Sequence, residues 1–145
     1  MSYSVKQYMR TDLPIVDVKN SAVEASKIMV EKEIGCAIVL DKNKPVGIVT
    51  EKDLVVKVMA KDKEPSKVMV SEIMTKPVIT IEPDASIEDA VKIMAENGIR
   101  RLPVVHKGII YGLFTARELA KNFNDYADKV TRDIIKTMSI VSLPF

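Results

Sequence analysis

The sequence predicts a mixed α/β (α+β) fold in which one unit, β-α-β-β-α, is built twice. Three observations lead to it. The phrase GIVTEKDL at Gly47 to Leu54 returns as GLFTAREL at Gly112 to Leu119. Sliding the chain by 65 residues aligns positions 5–54 with 70–119 without a gap, and 14 of those 50 positions are identical. Within each copy the apolar residues change from helical to extended spacing in the same order. At 145 residues, 47% of them hydrophobic, the chain is long enough to bury a core as one compact unit.

Each element has a local reason. Ser21 is followed three residues later by Glu24, and Ser86 by Asp89, so both serines stand where a helix wants its cap. Ala25, Ile28 and Met29, and likewise Ala90, Ile93 and Met94, then fall on one helical face. Gly98 follows Asn97 where a helix end needs a residue tolerant of positive φ. The runs 36–40 and 102–105 read as short buried strands. Asp41 to Lys44 and His106 to Gly108 supply turn chemistry, and the runs 45–49 and 109–114 complete two hairpins. The last helix of the first copy spans about 51–60, and a polar joint follows at 61–65. The organisation is therefore repeat one at 1–60, a linker at 61–69, repeat two at 70–121, and a C-terminal helix with an apolar tail at 122–145. In that tail Val130, Ile134 and Met138 keep helical spacing, and the sequence SIVSLPF closes it. Such a tail is expected to dock on this chain or on a partner.

Composition excludes several functions. The 22 basic and 20 acidic residues are mostly interleaved, so the net charge of +2 offers no large field for nucleic acid or for an anionic membrane. One cysteine, Cys36, permits neither an internal disulfide nor a cysteine metal cluster, and as a small buried hydrophobe it needs no reactive role. The opening MSYSVKQYMR lacks an apolar signal region, and no apolar run reaches the roughly 18 residues of a membrane span. A cytoplasmic protein is expected. No phosphate-binding glycine loop, Gly-x-Ser-x-Gly or His-Glu-x-x-His is present, and one histidine and one cysteine leave little room for a triad or a transition-metal site, so neither catalysis nor a bound metal or cofactor is expected. His106 reads as a solvated turn residue.

In its order, spacing and duplication the pattern resembles a pair of CBS domains, the modules named after cystathionine β-synthase, joined as a Bateman module. The resemblance covers about residues 5–119. It implies two repeats related by a pseudo-twofold axis, with clefts between their sheets. Similar modules bind AMP, ADP, ATP or S-adenosylmethionine and regulate a partner protein, and they pair into discs of four repeats. A homodimer is expected, with the apolar stretches at 55–59 and 139–145 as pairing surface. By the same resemblance the stronger cleft would hold Ile48, Thr50, Asp53, Pro77, Val78, Arg100, Arg101 and Pro103, with Arg101 facing phosphate. The companion cleft would hold Leu13, Gly35, Cys36, Ile38, Leu113, Thr115 and Glu118, and would bring no cation at the matching place.

The residues themselves support that assignment and also offer a plainer one. Thr50 and Thr115 stand where a strand turns into a helix, a place where free N–H groups favour phosphate. Asp53 is a natural acceptor for the paired hydroxyls of a ribose. Yet Thr-x-x-acid is also a capping box that needs no ligand. A box prefers Glu at its fourth place, so Glu118 is expected to cap and Asp53 to stay available. The leading expectation is a sensor of an adenosine-containing nucleotide. A scaffold without ligand is the alternative, and nucleic-acid binding through Arg100, Arg101 and the lysines comes last.

Overall fold

The structure, a computed structural model, describes residues 3–141, with side chains up to residue 138. The first repeat runs through β1 (Ile15–Asp17), α1 (Ala22–Lys32), β2 (Cys36–Asp41), β3 (Lys44–Thr50) and α2 (Glu51–Leu54), which continues as a π-helical stretch over Val55–Met59. A 3-10 turn at Pro65–Lys67 and the short α3 (Val70–Ile73) lead on. The second repeat holds α4 (Ile87–Asn97), β4 (Arg101–His106), β5 (Ile109–Thr115) and α5 (Ala116–Lys121), and α6 (Phe123–Val141) follows.

Both long repeat helices begin as the serines require. The Glu24 amide donates to Ser21 Oγ at 3.2 Å, and the Asp89 amide to Ser86 Oγ at 3.0 Å. Both end on a left-handed residue, Gly98 at φ 61° and, at the equivalent place, Glu33 at φ 53°. The hairpins close through consecutive positive-φ residues, Lys42 with Asn43 and Lys107 with Gly108, whose twist matches that of the strands they join.

Strands β1, β2 and β3 form one sheet, with β1 parallel to β2 and β2 antiparallel to β3; β4 and β5 form the other. The expected lead-in strand of the second repeat has shrunk to one bridge, Ile81 with Val104. Proline explains the loss. Repeat one uses Ile38 N–H to Pro14 O at 2.7 Å and Val18 N–H to Leu40 O at 3.0 Å. The residues equivalent to Ile38 and Val18 are Pro103 and Pro83, which have no N–H. Only the two central bonds survive, Ile81 N–H to Pro103 O at 3.0 Å and Val105 N–H to Ile81 O at 2.9 Å.

The segments that open the repeats cross over. Val5 and Tyr8 are buried in the second repeat's core beside Ile87, Leu102 and Phe114, while Val68, Val70 and Ile73 are buried in the first repeat's core beside Ala25, Val39 and Val49. Their pairings obey the pseudo-twofold. Arg10 exchanges two backbone bonds with Leu113 at 2.8 and 2.9 Å, and Thr75 does the same with Ile48 at 2.8 and 3.1 Å. The repeated glycines permit this approach: a Cβ on Gly47 would stand 3.0 Å from Thr75 O and against Met74 Sδ, and one on Gly112 would stand 3.0 Å from Arg10 O and against Met9 Sδ. Between the sheets a seam of fully buried Cys36, Ile38 and Leu113 joins the repeats, with Leu13, Ile15 and Ile48 packed around it.

Helix α6 is held to the second repeat by tyrosines. Tyr8 Oη donates to Asp125 at 3.0 Å, Tyr126 Oη donates to Glu88 at 2.7 Å, and Tyr3 bonds Asp133. The rings of Tyr3 and Tyr8 meet Tyr126 edge to face, and the Lys129 ammonium lies 5.0 Å from the Tyr8 centroid. Residues 142–145 of the expected apolar tail lie outside the described residues. None of the described helices is long and apolar enough to cross a membrane.

Candidate functional site

Two clefts open beside the seam. The first, about 370 Å³, has an apolar wall from Ile48, Pro77, Val78 and Ile99, with Thr50 and Arg101 on it. The second, about 510 Å³, is the pseudo-symmetric companion and is bordered by Thr115, Glu118 and Arg117. Gly35, Glu51, Arg100 and Arg101 line both, so one wall is shared.

Ile48, Thr50, Pro77, Val78, Arg100 and Arg101 all come together at the first cleft. Asp53 and Pro103 do not line it. Pro103 is fully buried in β4, and Asp53 stands behind Thr50 with 8% of its surface exposed. On the companion side Gly35, Thr115 and Glu118 line the cleft. Cys36, Ile38 and Leu113 do not reach it, because all three are sealed in the seam, and Leu13 packs against them. Burial pushes the Cys36 thiol up to about 11, against the opposing fields of Arg101 and Arg10, which leaves it an unreactive thiol.

One expectation is corrected by the geometry. The acid that completes a capping box is Asp53. Its Oδ2 accepts from the Thr50 amide at 2.9 Å and from the Thr50 hydroxyl at 3.1 Å, while its own amide donates to Thr50 Oγ1 at 3.3 Å. Glu118 gives only its amide, at 2.9 Å, to Thr115 Oγ1. The cause lies one turn further on. Lys57 Nζ stands 3.0 Å from Asp53 Oδ1 and pins that carboxylate. The equivalent of Lys57 is Asn122, whose side-chain amide donates to the Glu118 carbonyl at 2.7 Å, and among the described residues no cation pairs with the Glu118 carboxylate.

Charge adds what the matching place alone does not show. No cation stands at the companion place of Arg101, since Cys36 is there, yet the companion cleft is the more cationic of the two: Arg10, Lys32, Arg117 and Lys121 join Arg100 and Arg101 on its border. Sequence reading missed these four. Arg10 arrives on the crossing lead-in, one residue after Met9, and its identity with that segment's role was visible only once the crossing is known. Arg10 is fixed by Nη2 to the Lys32 carbonyl at 2.5 Å and by Nε to the Asp12 carbonyl at 2.7 Å. Lys32 pairs with Asp12 at 2.5 Å, which holds the Asp12 carboxyl below its usual range and the Lys32 ammonium above its own. Among the described residues Arg100, Arg101, Arg117 and Lys121 make no ion pair within 4 Å, and no three metal-ligating side chains gather anywhere.

Comparison with known proteins accounts for the arrangement. Residues 5–60 and 70–125 each match the CBS domain. An uncharacterized protein of Methanopyrus kandleri, MK0525, is 40% identical over 120 residues, covering 81% of this chain and 61% of that protein, so the match spans less than two thirds of the relative. An uncharacterized conserved protein from Pyrococcus horikoshii is 30% identical with a TM-score of 0.75, over 83% of this chain and 92% of that one. The CBS domain pair of protein MJ0100, solved in complex with 5′-methylthioadenosine and S-adenosyl-L-methionine, is 26% identical with a TM-score of 0.77, over 87% of this chain and 99% of that one. With two domain matches that keep the chain's own 65-residue offset, on a fold whose lead-in segments cross between repeats, this chain belongs to the CBS-domain family as a tandem pair.

Proposed function

We propose that this CBS pair is a regulatory module that binds an adenosine-containing nucleotide between its repeats and modulates a separate protein. One observation carries the reading: the first cleft brings an apolar wall, a hydroxyl backed by an acid, and two arginines into one hollow of about 370 Å³. Those are the chemistries of base, ribose and phosphate, and the volume lies in the range of small-molecule sites. Ile48, Pro77 and Val78 would take the base, Thr50 and Asp53 the sugar, and Arg100 and Arg101 the phosphate. In that role Asp53 exchanges its bonds to Thr50 and Lys57 for the paired ribose hydroxyls. The adenosyl compounds bound by the MJ0100 pair support the ligand class. Regulation requires that the ligand prefer one of two conformations.

The test is calorimetric titration with AMP, ADP, ATP and S-adenosylmethionine after endogenous ligand has been stripped. Saturable heat that Asp53→Ala abolishes is the expected result; binding that survives this substitution moves the sugar away from Asp53. A second reading has its own observation, the capping box that Thr50, Asp53 and Lys57 already complete. Under it the chain is a scaffold and no ligand gives heat.

We also propose a homodimer. Val55, Val56 and Met59 of the π-helical stretch are exposed at 58%, 46% and 72%, whereas Val58 turns inward. The other expected pairing surface, 139–145, lies outside the described side chains. Sedimentation at tens of micromolar checks this, and a monomer there rules it out.

A further inference from the structure

The two clefts are parts of one trough, and its charge discriminates among the ligands that the proposed function leaves open. Together their borders hold seven cations, Arg10, Lys32, Lys52, Arg100, Arg101, Arg117 and Lys121, against three carboxylates, Glu33, Glu51 and Glu118. That surplus of four exceeds the net charge of the entire chain, which is +2, so the remaining surface is net negative. Positive charge has been gathered at one place. The gathering is uneven: the first cleft is mainly apolar and owns Lys52, whereas Arg10, Lys32, Arg117 and Lys121 stand only on the companion side. Arg100 and Arg101, on the shared wall, connect the two.

We propose that the trough takes a nucleoside di- or triphosphate, with its base and sugar in the first cleft and its phosphate chain passing over Arg100 and Arg101 toward Arg117 and Lys121. The proposal rests on the nucleotide reading above and narrows it. Each further phosphate oxygen reaches a concave wall of cations, where low-dielectric surroundings strengthen the attraction. S-adenosylmethionine, whose sulfonium and ammonium groups give it net positive charge, would meet that wall as a like charge. AMP would use only its near end. A nucleic-acid backbone is a less suitable occupant, because the cations line hollows of about 370 and 510 Å³ and not a convex stripe.

The experiment compares adenosine, AMP, ADP, ATP and S-adenosylmethionine on the full chain and on Arg117→Ala/Lys121→Ala. Both residues are exposed on α5, so the variant is expected to fold, and a far-ultraviolet spectrum verifies it. Lys107→Ala, in the exposed hairpin turn, is the charge control. The expected result is affinity rising at least tenfold from AMP to ATP, an ATP affinity that falls at least tenfold in the double variant and not in the control, and AMP and adenosine affinities changed by less than twofold. Equal binding of AMP and ATP overturns the proposal, as does ATP binding indifferent to the double variant. In both cases loss of binding in Asp53→Ala would still uphold the first-cleft reading. Tighter binding of S-adenosylmethionine than of ATP overturns the phosphate assignment and leaves the adenosyl class intact. If none of the five compounds binds, the nucleotide reading itself has failed.

Discussion

Thr50 and Thr115 occupy equivalent places, yet they do unequal work. Thr50 is capped in both directions by Asp53, and Thr115 in one direction by Glu118. Losing an N-cap hydroxyl costs about 0.5 to 2 kcal/mol. Thr50→Ala is expected near the upper end of that range, because Asp53 would keep Lys57 but lose a hydroxyl partner. Thr115→Ala, although Thr115 is the more buried, is expected nearer the lower end; urea denaturation of both variants measures the order, and a reversed order would show that burial outweighs the second bond. Glu51 supplies a different kind of test. Its carboxylate and the Arg101 guanidinium flank Gly35 on the wall that both clefts share, with Arg101 Nη2 3.1 Å from where a Gly35 Cβ would be and Glu51 crowding that position outright. Glu51 is thus the anion already present where phosphate would arrive. Glu51→Gln is expected to raise ATP affinity several-fold and to leave adenosine affinity unchanged; a fall in ATP affinity would mean that Glu51 positions Arg101 and does not compete for it. The phrase Thr-x-x-acid made both caps legible in the sequence. Which acid returns the bond was not legible there, since it depends on Lys57 against Asn122, four residues beyond the acid.

At the scale of elements, the hairpins and the two long helices could be read because their signals are local. Ser21 and Ser86 sit at their caps, and Lys42-Asn43 and Lys107-Gly108 at their turns. The crossing of the lead-in segments could not. An internal repeat says that residues 5–10 and 70–75 have equivalent partners, but it is unchanged when those partners are exchanged between the copies. The shrunken strand at Ile81 was legible in principle, through Pro83 and Pro103, once the register was known. The crossing also explains why Met9, Met74, Gly47 and Gly112 recur: each methionine lies over the other repeat's glycine. Gly112→Ala therefore forces a methyl group against Met9 and the Arg10 carbonyl. Overpacking of this kind costs about 1 to 3 kcal/mol. Combining it with Met9→Ala is expected to cost less than the sum of the two single substitutions, since the side chain that must yield is gone. Additive effects in that double-mutant cycle would mean that the carbonyl, and not the methionine, sets the limit.

On the scale of the molecule, α6 and the trough are linked through one segment. Tyr3 and Tyr8 hold α6 from residues that immediately precede Arg10, and Arg10 is bonded on both backbone sides to Leu113 of β5. Docking of α6 depends on charge in a stated direction. The Asp125 carboxyl is held below its usual range, first by Lys129 and then by Tyr8, and the Glu88 carboxyl chiefly by Tyr126. The bond to Asp133 pushes the Tyr3 phenol up to about 12. The pair of Asp125 with Lys129 lies within α6 and persists if the helix leaves, so the bonds that couple pH to docking are those of Tyr8 to Asp125 and Tyr126 to Glu88. These stabilise the docked helix above the acids' unfolded pKa, near 4, and cease to do so as pH falls through the folded values. The raised phenol stabilises it below its unfolded pKa, near 10, and ceases to do so as pH rises through about 12. Docking is therefore expected to be complete between about pH 5 and 10 and to loosen on either side. Three of the four tyrosines lie at this contact and the chain has no tryptophan, so near-ultraviolet circular dichroism reports on it directly. On acidification that signal is expected to fall before the far-ultraviolet helix signal does; simultaneous loss would mean that α6 releases only with global unfolding. A ligand that engages Arg10 holds the same segment from its other end. Saturating ATP is thus expected to move the acid midpoint of the tyrosine signal to lower pH, and an unmoved midpoint would show that the trough and α6 act independently.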